Sequence, residues 1–124
     1  MRIMKSAEDY LETMLVLKEK NGYIRSIDIA AALEVTKPSV SFAVKRLREN
    51  GYILMDKDGH ITLTETGLPI AERIYERHKL LTEFLMALGV SEQTAREDAC
   101  KIEHDLSDET FEAMKAHADK FRNH

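Results

Sequence analysis

Apolar side chains recur every three or four residues through most of the chain, and one β-prone stretch interrupts this period near the middle. The period predicts helices, because such spacing places apolar residues on one helical face. The predicted helices cover residues 6–20, 27–33, 36–49, 64–88, 91–106 and 107–121. The predicted fold class is therefore mainly α, with a small β-hairpin in the interruption.

The interruption consists of two short runs, residues 52–55 and 60–64, on either side of the pair Asp58-Gly59. An Asp-Gly pair between β-prone runs predicts a tight hairpin, because glycine accepts the positive φ that the turn requires.

The predicted helix ends carry residues that usually cap helices. Each N-terminus has a residue whose side-chain oxygen can accept a hydrogen bond from the amides of the first turn. These residues are Ser6, Ser26, Thr36, Thr64 or Thr66, Ser91 and Ser107. The fourth helix is predicted to bury one stripe, which consists of Ile70, Ile74, Leu81, Phe84, Leu85 and Leu88.

Two short helices, residues 27–33 and 36–49, stand in tandem around a turn at Glu34-Val35, and the second is basic on its outer face. This is the pattern of a helix-turn-helix. Helix pairs of this kind also occur in all-α domains that never bind DNA. The hairpin that follows favours the DNA-binding interpretation, because it completes a winged helix-turn-helix.

The outer faces of the second of these helices and of the hairpin hold side chains suited to DNA. Cations position phosphates, short hydroxyls reach phosphates or base edges, and an exposed aromatic ring suits a thymine methyl group. The candidate DNA-binding residues are Ser26, Thr36, Lys37, Pro38, Ser39, Ser41, Phe42, Lys45, Arg46, Lys57 and His60. For Phe42 the alternative is a partly buried packing residue.

Charge is distributed unevenly along the chain. The formal net charge of −4 by itself disfavours nucleic acid as a partner. Residues 1–60 hold ten Lys and Arg against nine Asp and Glu, whereas residues 61–124 hold eight against thirteen. Within residues 36–57 five cations face two acids. Positive charge is thus concentrated at the predicted recognition element, and we expect salt-sensitive DNA binding.

Length and apolar content restrict the class of protein. The 124 residues, 44% of them hydrophobic, suffice for one core or for two small helical units. The longest apolar runs, such as residues 29–33 and 84–88, fall far short of the roughly 20 residues of a membrane span. The N-terminus has no signal-peptide pattern, and a single cysteine cannot form an internal disulfide. We expect a cytoplasmic protein with no membrane partner.

Cys100, Glu103 and His104 follow one another at helical spacing, i, i+3 and i+4, which places them on one side of a helix. Taken singly, a cysteine is more often a small buried hydrophobe than a ligand. The spacing makes the three a candidate metal-binding group.

Further ligand-type side chains lie on two other predicted helices. Asp9 and Glu12 lie about 60° apart beside the apolar stripe of the first helix, and His78 flanks the stripe of the fourth. Alone, such residues more often form a solvated face or a satisfied interior histidine. If the three helical faces converge, several carboxylates and imidazoles are buried together, which requires a cation. Oxygen, imidazole and sulfur suit a first-row divalent ion.

Four segments of this sequence together resemble one family. They are Ser6-Ala-Glu-Asp9-Tyr10-Leu11-Glu12, Thr36-Lys-Pro-Ser-Val-Ser41, Tyr75-Glu-Arg-His78-Lys-Leu-Leu81 and Cys100-Lys-Ile-Glu103-His104-Asp-Leu-Ser107. In this order and spacing they are similar to the diphtheria-toxin-repressor family of metal-dependent repressors, and the match covers nearly the whole chain. The resemblance implies a winged helix-turn-helix DNA-binding domain, residues 1–65, and an all-helical dimerisation and metal-binding domain, residues 66–124. It also implies repression of metal-uptake genes when manganese or ferrous iron is sufficient.

The resemblance implies a metal site whose ligands are Asp9, Glu12, His78, Cys100, Glu103 and His104. Asp9 and Glu12 match the manganese-type members, whereas Cys100 matches the iron-type members, which carry cysteine where manganese types carry glutamate. A thiolate favours iron, cobalt or zinc, and hard carboxylates favour manganese or iron. The expected cofactor is therefore Fe²⁺ or Mn²⁺, with Zn²⁺ or Co²⁺ able to bind in vitro. The number of ions bound per subunit, one or two, stays open.

Two further features follow from the resemblance. Iron-type members have an ancillary metal site, and its matching positions here are Thr82 and Arg96, so we expect no such site. They also add a C-terminal SH3-like domain, whereas this chain stops at His124, as the shorter manganese-type regulators do.

The resemblance also implies a homodimer on a double-stranded DNA operator. Surplus apolar side chains on the last three helices favour a dimer interface: Leu80, Leu85, Met86, Phe111, Met114 and Phe121. The alternative is that these side chains fill the core of one monomer.

Two other functional classes stay open at the level of sequence. A zinc metalloenzyme would use His78, Glu103 and His104 around an open water position. No His-Glu-x-x-His helix, glycine-rich phosphate loop or nucleophile triad is present, so we expect neither an enzyme nor a small organic substrate. A winged-helix regulator that senses a small ligand or an oxidant through Cys100, without metal, is the closer alternative.

Overall fold

The structure, a computed structural model, describes residues 5–122. The ends of the two predicted domains, residues 1–4 and 123–124, and the side chain of Phe121 lie outside the described residues. In the described part the elements are α1 (Lys5–Asn21), α2 (Ser26–Leu33), α3 (Lys37–Glu49), β1 (Ile53–Met55), β2 (Ile61–Leu63), α4 (Gly67–Ala87), α5 (Glu92–Ile102) and α6 (Asp108–Arg122). The chain forms two compact units that divide within α4, between Arg73 and Ile74. None of the described helices is long and apolar enough to cross a membrane.

The core of the first unit is formed by the apolar faces of α1, α2 and α3. Its buried side chains are Leu11, Met14, Leu15 and Leu17 of α1, Ile29 of α2, and Val40, Val44 and Leu47 of α3. Burying one side chain of this size is worth about 1.5–3 kcal/mol. The predicted inward face of α3 is confirmed, so its opposite face is left to solvent.

Local backbone chemistry forms the turn between α2 and α3. Glu34 ends α2 in the left-handed conformation, with φ 54°, and its amide donates to the carbonyl of Ala30. Thr36 then caps α3, because its hydroxyl oxygen accepts a hydrogen bond from the amide of Ser39 at 3.3 Å. Pro38 lies in the first turn, where a helix needs no amide donor. The predicted turn and cap are confirmed.

The two strands form an antiparallel hairpin in which Ile53 faces Leu63. Ile53 and Ile61 are buried, so the hairpin packs one face against the core. The segment before α2 extends this small sheet, because the amide of Ile61 donates to the carbonyl of Ile24 at 2.9 Å. The hairpin is the wing of a winged helix-turn-helix, as predicted.

Asp56 organises the turn of the wing. One carboxylate oxygen accepts hydrogen bonds from the amides of Asp58 and His60, at 2.9 Å each, and the His60 ring lies 3.5 Å from the other oxygen. The amide of His60 is the largest cause that lowers the pKa of Asp56. Arg25 donates to the carbonyl of Asp58 at 3.1 Å, which ties the turn to the segment before α2.

Thr64 and Gly67 join the wing to α4. The Thr64 hydroxyl donates to the carbonyl of Gly51 at 2.7 Å and accepts from the amide of Gly67 at 3.1 Å, so Thr64 caps α4. Gly67 is packed against the backbone of Tyr52, and a Cβ at this position would lie 2.1 Å from the Tyr52 carbonyl oxygen. Only glycine fits there.

The second unit contains the rest of α4 together with α5 and α6. Its buried apolar side chains are Ile74, Leu80, Leu81, Ala95, Ala99 and Phe111. Serine hydroxyls cap both later helices, as predicted. Ser91 accepts from the amide of Thr94 at 3.4 Å, and Ser107 accepts from the amide of Thr110 at 3.1 Å.

Two predicted N-caps are wrong. Ser6 lies inside α1, which begins at Lys5 in the described chain. Ser26 is the first residue of α2, and the preceding Arg25 takes the cap position without a side-chain cap bond in the described structure. The reason is that extended Arg25 pairs with His60 of the wing, and its carbonyl accepts hydrogen bonds from the amides of Asp28 and Ile29.

Two predicted helix ends also differ from the structure. Leu88 is 69% exposed and does not belong to the buried stripe, because α4 ends at Ala87. α5 ends at Ile102, four residues earlier than predicted, and residues 103–106 form a turn.

We predict that Gly67→Ala lowers the free energy of unfolding by about 3 kcal/mol, because the new methyl group overlaps the Tyr52 carbonyl and the backbone must shift. Urea denaturation of both proteins measures the difference. Thr66→Ala is the matched control, since Thr66 is exposed, and it should change stability by less than about 0.5 kcal/mol. An equally stable Gly67→Ala protein would contradict the close approach.

We predict that the wing loosens in acid because Asp56 has a lowered pKa. A lowered carboxyl pKa contributes stability above the unfolded value of about 3.9, and this contribution is lost as the pH falls through the folded value. The protection of the Asp58 and His60 amides, measured by NMR exchange relative to the intrinsic rate at each pH, should therefore fall below about pH 4. Asp56→Ala should show low protection of both amides at every pH, whereas Asp58→Ala, which keeps both backbone donors, should behave like the wild type.

Candidate functional site

The predicted DNA-binding residues lie on α3, on the wing and at the start of α2, all within the first unit. Nine of them are exposed: Thr36, Lys37, Pro38, Ser39, Ser41, Phe42, Lys45, Arg46 and Lys57. Ser26 and His60 are half-buried. The structure therefore brings cations and hydroxyls together on the solvent face of a helix whose other face is core.

Phe42 is 63% exposed on this face, so the alternative role as a partly buried packing residue is wrong. The guanidinium carbon of Arg46 lies 5.7 Å from the centroid of the Phe42 ring, within the range of a cation–π contact. Asn50 caps the C-terminal end of α3, since its side-chain amide donates to the carbonyl of Arg46 at 2.7 Å. The exposed ring and the cation are thus held side by side.

Three acidic side chains lie in the first turns of α1. Glu8 is buried and accepts a hydrogen bond from Arg73 of α4 at 2.9 Å, within the first unit. Asp9 and Glu12 are half-buried and nearly one helical turn apart. The Glu8–Arg73 pair attaches this part of α1 to the start of α4.

A carboxylate lies between two imidazole rings in the second unit. Glu103 is fully buried, at 0% exposure. Its Oε2 lies 3.0 Å from Nδ1 of His78 on α4, and its Oε1 lies 3.3 Å from Nε2 of His104. His104 is buried, and the His78 side chain is 23% exposed. Three of the predicted ligands are therefore brought together.

The chemistry of this group fits a metal ion. Glu103 Oε1 has no hydrogen-bond partner among the described residues, although Nε2 of His104 lies 3.3 Å away. A buried carboxylate oxygen without a partner is costly. A divalent cation would satisfy the oxygen and offset its charge, and imidazole and carboxylate are ligands that first-row metals accept.

Cys100 lies on α5, and its thiol is exposed. Glu103 comes just after the helix but keeps helical dihedrals, with φ −57° and ψ −30°, and its amide donates to the carbonyl of Ala99. The predicted spacing of Cys100 and Glu103 is retained, although His104 belongs to the turn and not to α5.

Sequence reasoning missed Arg77. Its guanidinium is buried, and one nitrogen donates to the carbonyls of Glu103, at 3.0 Å, and of Leu106, at 2.8 Å. A signal is present in the sequence, since Arg77 occupies a position of the apolar stripe between Ile74 and Leu81. A charged residue there indicates a buried, paired group.

Thr82 and Arg96, the positions that match the ancillary metal site of iron-type members, make local contacts. The hydroxyl of Thr82 donates to the carbonyl of His78 at 2.7 Å, and the Arg96 guanidinium donates to Glu92 at 2.9 Å. Each side chain is thus engaged within its own helix.

Two family models match the chain in succession. The model described as iron dependent repressor, N-terminal DNA binding domain, matches residues 2–61. The model described as iron dependent repressor, metal binding and dimerisation domain, matches residues 64–124.

Curated proteins agree with these matches. The chain is 40% identical over 121 residues to an uncharacterised HTH-type transcriptional regulator of Methanocaldococcus jannaschii, covering 96% of this chain and 97% of that protein. It is 42% identical over 102 residues to the HTH-type transcriptional regulator MntR of Geobacillus kaustophilus, covering 82% of this chain and 72% of that protein.

Solved structures share the fold. The manganese regulator SloR superposes with a TM-score of 0.78 at 35% identity, covering 94% of this chain and 53% of that one. A manganese-dependent transcriptional repressor in complex with manganese superposes with a TM-score of 0.81 at 27% identity, covering 90% of this chain and 51% of that one. The chain thus spans about half the length of these solved chains. The two family models and the identity to MntR together show that the chain belongs to the iron-dependent repressor, or DtxR/MntR, family of metal-dependent transcriptional regulators.

Proposed function

We propose that this chain is a cytoplasmic, metal-dependent repressor that binds DNA at metal-uptake or metal-homeostasis genes when Fe²⁺ or Mn²⁺ is bound. The observation that carries the proposal is the fully buried Glu103 carboxylate, which lies between two imidazoles and has one oxygen without a hydrogen-bond partner in residues 5–122. The descriptions of the matching families, DNA binding and metal binding with dimerisation, support the same function.

The proposed metal ligands are Asp9, Glu12, His78, Cys100, Glu103 and His104. When bound, the ion accepts electron pairs from these groups and offsets the charge of the carboxylates. His78 and Glu103 are already within 3.0 Å of each other, so little rearrangement of this pair is required. Asp9 and Glu12 belong to α1, next to the anchored Glu8.

The choice of metal follows from the donor types. Solved relatives are described as a manganese regulator and as a manganese-bound repressor, and a further relative, ScaR, is described with bound Zn²⁺. Asp9 and Glu12 are hard oxygen ligands that suit manganese or iron, whereas the exposed thiol of Cys100 favours iron, cobalt or zinc. Ferrous iron satisfies both kinds of ligand, and manganese remains its competitor in this proposal.

The DNA-binding part of the proposal rests on residues 1–65. Dimerisation rests on residues 66–124, which also hold four of the six proposed metal ligands, while Asp9 and Glu12 belong to residues 1–65. In a homodimer, two copies of α3 enter successive major grooves of the operator when they are about 34–36 Å apart. We infer that the ion selects this arrangement, because a ligand shifts a population only by binding one state more tightly. The cations and hydroxyls on the exposed face of α3 then contact phosphates and base edges.

A regulator that senses an oxidant or a small ligand through Cys100 is the second candidate, because this thiol is exposed. Titration of operator binding separates the two functions. A requirement for metal supports the repressor, whereas loss of binding on thiol oxidation without any metal requirement supports the sensor.

We predict that Glu103→Gln abolishes metal-dependent DNA binding, because the neutral amide cannot offset a cation and leaves the two imidazoles without their carboxylate. Anaerobic titration of full-length protein with Fe²⁺ and Mn²⁺, followed by operator binding, measures the loss. Glu97→Gln is the matched control, since Glu97 is an exposed residue of α5, and it should respond to metal like the wild type. Unchanged operator affinity of Glu103→Gln would overturn the assignment.

We predict that Arg46→Ala weakens operator binding and reduces the dependence of log affinity on log salt by about one phosphate contact, a slope change of about 0.9. The reason is that Arg46 is an exposed cation on α3. Lys20→Ala removes an exposed cation at the end of α1 and should leave the slope unchanged. Affinity measured between low and moderate salt distinguishes the variants, and equal slopes would remove Arg46 from the interface.

A further inference from the structure

We propose that Arg77 is a positioning residue for the metal centre: it holds the turn after α5 so that Glu103 and His104 are in place before metal binds. The inference rests on the proposed function, since it concerns two of the proposed ligands. Within the part of the chain that the structure describes, the hydrogen bonds of Arg77 reach two backbone carbonyls of the turn and the carboxylate of Asp108.

The contacts of Arg77 span the whole turn. Its Nη1 donates to the carbonyl of Glu103 at 3.0 Å and to the carbonyl of Leu106 at 2.8 Å. Its Nη2 forms an ion pair with Asp108, the first residue of α6. One guanidinium thus connects the end of α5, the turn and the start of α6.

The carbonyls of Glu103 and Leu106 lie in the turn, since α5 ends at Ile102 and α6 begins at Asp108. A buried backbone carbonyl outside a helix or strand must find a hydrogen-bond donor elsewhere. The Arg77 side chain is 4% exposed, and its guanidinium carbon lies 5.0 Å from the centroid of the Phe111 ring. Water is therefore largely excluded, and the arginine replaces it as donor.

A lysine cannot take over this role fully. Arginine presents several donors in a rigid plane, whereas lysine offers a compact charge on a flexible stem. Arg77→Lys keeps the charge beside Asp108, but it cannot hold two carbonyls and the carboxylate in the same geometry. The turn would then shift, and the Glu103 carboxylate and the His104 ring would move with their backbone.

We expect Arg77→Lys to bind Mn²⁺ and Fe²⁺ about 10- to 100-fold more weakly, the usual effect of losing a group that orients a ligand. The dissociation constants are measured anaerobically on the full chain by competition with a chelating dye. Operator binding at saturating metal should return close to the wild-type value, because Arg77 lies outside the DNA-binding face. A purely structural role would instead lower stability without changing the affinity for metal.

Arg96→Lys is the matched control, because Arg96 is an exposed arginine of α5 paired with Glu92, and its metal affinity should be unchanged. A folded Arg77→Lys protein with wild-type metal affinity overturns the inference while the proposed function stands. A wild-type protein that binds no metal overturns the proposed function itself.

A second measurement needs no variant. In the wild-type protein the amides of Glu103 and Asp105 donate to the carbonyls of Ala99 and Ile102, at 3.0 Å each. If Arg77 holds the turn, these two amides exchange slowly with solvent in the metal-free protein, and metal adds little protection. Fast exchange that becomes slow only on addition of Mn²⁺ would show that the ion orders the turn, and would overturn the inference.

Discussion

The second unit depends on one constraint, which is the complete burial of the Glu103 carboxylate. A carboxylate removed from water persists only where neighbouring groups offset its charge and satisfy its oxygens. α4 supplies the His78 ring for one oxygen, and the turn after α5 brings the His104 ring towards the other. The turn keeps this form because Arg77 donates hydrogen bonds to two of its carbonyls, those of Glu103 and Leu106. The buried charge of Glu103, the turn after α5 and the end of α5 therefore depend on one another.

α4 anchors the segments that carry the proposed ligands. Within the first unit Arg73 pairs with Glu8 of α1, and within the second unit Arg77 holds the turn that follows α5. The two arginines are four residues apart, nearly one helical turn, and His78 is the next residue along the chain. A helix is a stiff support for such side chains, and this precision matters because metal ligands tolerate only small displacements.

The fold is largely predictable because its signals are local. Helical periods, the Thr36 cap and the Asp58-Gly59 hairpin each depend on residues a few positions apart, and each is present in the structure. The helical spacing that relates Cys100 to Glu103 is also predictable from the sequence. The end of α5 is not, because it depends on a bond from Arg77 to a carbonyl 26 residues away. The helical period also places Phe42 on the outer face of α3, away from the buried Val40 and Val44, and Phe42 is exposed in the structure.

Thr64 couples two parts of the first unit through a single hydroxyl. That group donates to Gly51, which follows α3, and accepts from Gly67, which begins α4. The backbone of Tyr52 leaves no free space at this junction. The first turn of α4 is therefore held to the segment that follows α3 by two hydrogen bonds of one side chain and by direct backbone packing, so neither can shift without the other.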